Sequence, residues 1–155
     1  MEENVTAGTQ LPQESNAAEG TPHQLGYRWL WPEEAAQVNP ALHRRLWRGC
    51  NTYTWEQYCR RVASGEYELL VLPLGTIFLV TWGESNGLKL CQILTICASN
   101  IDFRTADIDL PVFETAVRSR GGKVVLSAGR KGYTEIVKRH NWTVDSIILM
   151  RKELK

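Results

Sequence analysis

The sequence predicts a mixed α/β domain (α+β in its mostly antiparallel sheet) in which helices flank a central sheet, and three observations carry that prediction. The last third, Lys123 to Leu154, has the pattern strand, helix, strand. Three apolar runs between Tyr67 and Ala98 follow one another with only turn residues between them. Upstream of these lie two helical patterns, each with its own start signal. A strand-helix-strand unit of this size cannot bury its own apolar faces, so the upstream elements are expected to be its packing partners.

Taken in order, residues 1–26 form an arm rich in Gln, Glu, Ser, Thr, Ala, Gly and Pro. With few large apolar side chains, it cannot offset its ordering entropy alone and is expected to be flexible. The domain is expected over residues 27–155. Tyr27 to Trp31 reads as a first strand ended by Pro32. Asn39-Pro40 supplies an N-cap and a proline at the first helical position, followed by a stripe of Leu42, Leu46, Trp47 and Cys50. Thr54 and Gln57 form a capping box for a second helix, whose Trp55, Tyr58, Cys59 and Val62 share one face and which Gly65 stops.

Tyr67–Leu72, Thr76–Trp82 and Leu88–Ala98 are the next three strands. Asn86-Gly87 marks a tight hairpin, and the third strand is apolar on both faces, hence central. Ser99 to Leu110 reads as a polar connection, and Pro111 as the first residue of a helix that Gly121-Gly122 ends. Lys123–Ala128, a helix bearing Tyr133, Ile136, Val137 and His140, and a closing strand from Trp142 to Met150 complete the order β-α-α-β-β-β-α-β-α-β.

Bulk properties exclude several classes of function. The formal charge of +1 divides into −4 on residues 1–26 and a remainder with 18 basic and 13 acidic residues. Such a mildly and diffusely basic body argues against nucleic-acid binding. The six tryptophans are scattered as packing residues and do not line up as a base-stacking platform. Cys50, Cys59, Cys91 and Cys97 form no C-x-x-C pair, and no histidine stands at zinc-finger spacing, so no metal site is expected. No apolar stretch approaches the ~20 residues that span a bilayer. A cytoplasmic setting is the expectation from the free thiols and the absence of a leader pattern.

The element order resembles that of the GNAT superfamily, the N-acetyltransferases that use acetyl-coenzyme A. The resemblance covers roughly residues 26–154. It is most specific in Ala128-Gly129-Arg130-Lys131-Gly132-Tyr133 and in Ile136-Val137-Lys138-Arg139-His140-Asn141-Trp142, where Asn141-Trp142 stands for the family's closing Gly-aromatic step. The resemblance implies three chemical requirements. The first is a Gly-rich pyrophosphate loop before the third helix, yet no glycine occurs between Leu88 and Arg120. The corresponding stretch, Asn100–Asp109, offers Arg104 as its one cation and places Asp102, Asp107 and Asp109 where phosphates would lie. The second is a tyrosine proton donor on the last helix. Its position here is Val137, with Tyr133 one turn earlier as the candidate. The third is a carboxylate base beside the third or fourth strand, for which Glu84 is nearest in sequence.

Two readings follow. In one, the domain is a non-catalytic binding or structural component of a larger assembly, without a cofactor. It meets protein partners through the arm and the aromatic first strand. Its likeness to GNAT-like proteins encoded with virion or tail genes of tailed bacteriophages implies a virion setting. In the other, it is a divergent acyltransferase binding acetyl-coenzyme A between the central strand and Lys123–Ala128. Arg104, Arg130 and Lys131 would then contact phosphates, Thr95 the acyl group, and Tyr133 and Glu84 would serve as acid and base.

Overall fold

The computed structural model describes residues 26–50, 54–97, 103–128, 134–144 and 149–155. The strands are β1 (Arg28–Trp29), β2 (Glu68–Val71), β3 (Ile77–Ser85), β4 (Leu88–Cys97), β5 (Val124–Ala128), β6 (Thr143–Val144) and β7 (Leu149–Glu153). The helices are α1 (Pro32–Ala36), α2 (Pro40–Cys50), α3 (Trp55–Ser64), α4 (Phe103–Ser119) and α5 (Thr134–Arg139). One seven-stranded sheet has the order β1-β2-β3-β4-β5-β7-β6. All neighbours are antiparallel except β4 and β5, so the predicted mixed, mostly antiparallel sheet is present.

The local start and stop signals act as the sequence suggests. Thr54 Oγ1 accepts from the Gln57 N–H at 3.2 Å, and the Gln57 side chain accepts from the Thr54 N–H at 3.2 Å. The Asn39 carboxamide accepts from the Ala41 N–H at 2.7 Å. Gly65 ends α3 at φ +84°, which a side chain would resist, and Asn141 takes φ +66° just beyond α5. Asn86 and Gly87, at φ +53° and +79°, turn β3 into β4.

Three elements differ from expectation. The first strand is only Arg28–Trp29. Trp31 instead caps α1, where Pro32 suits the first turn and the Glu34 carboxylate accepts from the Trp31 N–H at 3.0 Å. The stretch expected to be a polar connection is the first half of α4, which runs through Pro111. A proline inside a helix removes one hydrogen bond, but burial of Leu110, Phe113, Ala116 and Val117 against the sheet outweighs that loss. The closing strand is two strands, with Thr143 opposite Arg151 and Val144 opposite Met150.

The sheet separates two cores. On one face α4 and α5 bury Phe78, Val80, Cys91, Ile93, Phe113, Val117, Ile136, Val137 and Trp142. Phe78 and Phe113 stack there at 4.4 Å. On the other face α1, α2 and α3 cover Leu69, Ile77, Leu79 and Cys97 with Leu46, Tyr58 and Val62. His43 ties these three helices together. The Ala35 carbonyl can only accept, so the 2.6 Å contact makes Nε2 the donor, and the Tyr58 hydroxyl lies 2.7 Å from Nδ1. Burial holds the Tyr58 hydroxyl protonated, with its pKa raised well above the usual value.

Candidate functional site

The candidate site lies where β4 and β5 part. The two strands run parallel and pair from Leu90↔Val124 to Ile93↔Ser127. β4 then continues for four residues, Leu94–Cys97, with no β5 partner among the described residues. On its other side, β4 keeps β3, but with a register slip. Val80 faces Ile93 and Leu79 faces Thr95, so Leu94 is an extra residue. A bulge of this kind bends the strand that carries it and raises its twist. The bend thus falls at the residue where, among the described residues, β4 loses β5. Beyond it, the β5-facing N–H and C=O groups of Leu94–Cys97 have no strand partner among the described residues.

One flank of the gap is set by α2. Its Gly49 lies against Thr95, and a Cβ placed there would come within 2.9 Å of the Thr95 Cβ and closer still to Oγ1. Only glycine lets the last turn of α2 approach β4 this closely. Arg45 and Arg48 are exposed on the same turn and a half of helix.

The other flank is fixed by polar ties between α4, α5 and the closing strands. Asp107 accepts two hydrogen bonds from Arg139, at 2.9 and 3.0 Å, and stands 2.8 Å from His140 Nε2. Hydrogen bonds from His140 first, then Arg139, hold its carboxyl below the usual range. Buried Glu114 accepts from the Trp142 indole at 3.1 Å and from Lys152 at 2.8 Å, and Lys152 also donates to the His140 carbonyl at 2.7 Å. Asp109 accepts from Thr76 at 2.6 Å while its second oxygen is buried with no hydrogen-bond partner among the described residues. Burial raises its pKa, and the Thr76 bond offsets part of the rise. The carboxylates of Asp107 and Asp109 therefore sit within α4 and brace it. They do not occupy a phosphate position at a helix start, as the sequence had suggested.

The sequence-predicted site residues divide three ways. Thr95 is at the gap, one residue past the bulge and half-buried. Glu84 is exposed at the hairpin end of β3, opposite Lys89, about six residues or roughly 20 Å along the ladder from Thr95. That distance removes it from the gap. Arg104 lies in the first turn of α4, the helix that follows β4, and its backbone alone is described. Arg130, Lys131 and Tyr133 lie outside the described residues. Val137, at the position of the expected tyrosine, is 5% exposed in the core shared with Phe113 and Trp142. Gly49 was not singled out from sequence, although an isolated glycine in a helical pattern is the usual signal of close approach. Among the described residues no three His, Cys, Asp or Glu gather as a metal site, and no helix is long and apolar enough to cross a membrane.

No family model and no curated protein matches the sequence. Solved structures do match the fold. A GNAT-family acetyltransferase from Streptococcus pneumoniae aligns over 83% of this chain and 98% of its own, with a TM-score of 0.52 at 14% identity. Tetrahymena GCN5 aligns over 83% and 96%, with 0.51 at 12%. A chain of the DNA-bound AtaT–AtaR complex aligns over 83% and 93%, with 0.51 at 10%. The chain thus has the GNAT fold, as its element order suggested.

Residues 98–102, which lead from β4 into α4, lie outside the described residues.

Proposed function

We propose that the chain is an acyl-coenzyme A-dependent N-acyltransferase. The observation that carries this reading is the coincidence of the Leu94 bulge with the end of β4–β5 pairing among the described residues, the arrangement an open backbone edge inside the sheet would have. Sheets do not leave interior edges bare without cause, because each unpaired N–H or C=O shielded from water is costly. Bound acyl-coenzyme A would supply the activated acyl group. The chain would contribute the strand edge that aligns the thioester, Thr95 as a polar contact beside it, and α2 as one wall. The bond changes balance simply: the amine nitrogen joins the acyl carbon, the carbon–sulfur bond breaks, and the amine proton ends on the thiol or in solvent. Positioning two reactants in this way can supply much of a rate enhancement without a dedicated acid.

A second reading keeps the fold and drops the transfer. Here the domain is a non-catalytic component of a larger assembly, with the arm as its tether and a phage virion as one setting. Its support is the burial of Val137, since an apolar core side chain replaces the expected proton donor. Fold alone does not decide between the two.

The test is thiol release from acetyl-coenzyme A by the full chain with a mixture of amines, alongside thermal denaturation with the cofactor. Saturable thiol release and a raised midpoint are expected; ligand at ~100 Kd would add ~2.7 kcal/mol. A raised midpoint without thiol release would favour the second reading in a coenzyme A-binding form. No response to millimolar cofactor would contradict the proposal. For the assembly reading, loss of residues 1–26 should leave the domain folded but unincorporated.

A further inference from the structure

Two indoles and a carboxylate meet just past the C-terminal end of α4, on the sheet face that α4 and α5 cover. Trp29 of β1 and Trp82 of β3 stand with ring centroids 5.7 Å apart and planes tilted by 45°. Glu68 of β2, the strand between them, accepts from the Trp82 indole N–H through Oε1 at 3.0 Å. All three side chains are half-buried. Arg120, the residue after α4, fills the corner they make. Its guanidinium carbon lies 4.8 Å from the centre of the Trp29 ring and 5.4 Å from that of Trp82, and it donates to Glu68 Oε2 at 3.1 Å. Lys89 Nζ stands 4.5 Å from the Trp82 centre and donates to the Arg120 carbonyl at 2.6 Å. Two π faces, a carboxylate and the negative end of a helix dipole converge there, and each attracts positive charge. Yet a guanidinium suits the corner poorly. It brings five N–H donors, whereas one Glu68 oxygen is engaged by Trp82 and only the other serves Arg120. The Arg120 side chain stays 36% exposed, and the Trp29 indole N–H is buried with no hydrogen-bond partner among the described residues. The corner therefore offers charge and aromatic surface but few acceptors, which favours a cation with few or no N–H donors.

We infer that this corner binds a methylated ammonium group, and that Arg120 is the intramolecular cation that yields its place to the ligand. The exchange keeps one positive charge beside Glu68, while the released guanidinium regains water for its donors. Gly122 lets the turn after α4 close on Trp82, where an added Cβ would lie 3.2 Å from the ring and nearer still to Val117. Backbone packing thus holds the corner together with the Arg120 side chain. The site lies on the opposite sheet face from α2 and does not rest on the acyltransferase reading.

Calorimetry and tryptophan fluorescence with the full chain test this against choline and a trimethyl-lysine peptide. Each is compared with its unmethylated counterpart, ethanolamine or the unmodified peptide, and the two pairs distinguish a small-molecule from a protein source of the same group. The parent chain should bind at least one methylated member about tenfold or more tightly than its counterpart. Arg120→Ala should tighten that binding several-fold, because it removes the internal competitor. Glu68→Gln, which keeps an acceptor for the Trp82 indole, should weaken it, with circular dichroism confirming that both variants are folded. Absence of binding to the parent chain overturns the inference, as does equal binding of both members of each pair. Binding by Arg120→Ala alone also overturns it, since the arginine would then be a fixed structural group. Unchanged binding in a folded Glu68→Gln variant would place the ligand elsewhere and overturn it too.

Discussion

The two halves of β4 differ more than their composition suggests. Leu90–Ile93 pairs with β3 on one side and β5 on the other, while Leu94–Cys97 pairs, among the described residues, with β3 only. The first half is closed by ordinary sheet physics, with Cys91 and Ile93 buried under α4 and α5. Burial there pushes the Cys91 thiol up to about 12, which makes it an inert core side chain. The second half is opened by one extra residue and lined on one face by a helix whose closest point is a glycine. Composition makes a strand; register and the approach of neighbours decide whether its edge stays available.

Substitutions can sharpen that contrast. The largest effect is expected in the closed half. Phe113→Ala removes a fully buried ring stacked on Phe78 and should cost about 3–5 kcal/mol in a denaturant titration, with ligand affinity altered only through global stability. A cost under 1 kcal/mol would mean that this core is far looser than its contacts indicate.

Gly49→Ala probes the open half. The added Cβ forces α2 away from Thr95 and should cost about 1–3 kcal/mol by overpacking. It should also weaken acetyl-coenzyme A binding beyond what the stability loss explains. Unchanged binding in a folded variant would separate the α2 wall from the site.

The smaller effects test the supports. Thr54→Ala removes the side-chain half of the α3 capping box and should cost about 1 kcal/mol, with binding unchanged. Asp109 offers a pH test. Its pKa is raised on folding, so the folded state holds the proton at pH values where the unfolded chain has already lost it. Stability from this group is therefore present below the ordinary carboxylate pKa and declines as pH rises through the raised one. Asp109→Asn should flatten that decline in melting temperature between acid and neutral pH. A steeper decline in the variant would contradict the assignment.

Much of this architecture is legible from the chain. The capping box at Thr54 and Gln57, the Asn86-Gly87 turn and the Asn141 stop are local chemistry, and each acts where it is written. The doubly apolar run from Leu88 is central because a strand buried on both faces needs no alternation. What escaped was tertiary. Pro111 reads as a helix start, but four buried apolar residues on one face of α4 carry the helix through it. The acids before it read as a barrier to phosphate. Their meaning changed once Arg139, His140 and Thr76 were brought to them from elsewhere in the chain. Thr95 was recognisable as a polar residue in a central strand. The bulge beside it was not, because an extra residue exists only relative to the register of β3.

Hydrogen–deuterium exchange resolved along β4 tests the central claim most directly. Backbone groups paired in the interior of a sheet open only with large-scale unfolding, whereas edge-facing ones exchange without it. In the free protein, the β5-facing amides within Leu94–Cys97 should exchange much faster than those within Leu90–Ile93. Acetyl-coenzyme A should then protect them. Equal protection of both halves in the free protein, with no change on adding the cofactor, would contradict an open edge and the function built on it.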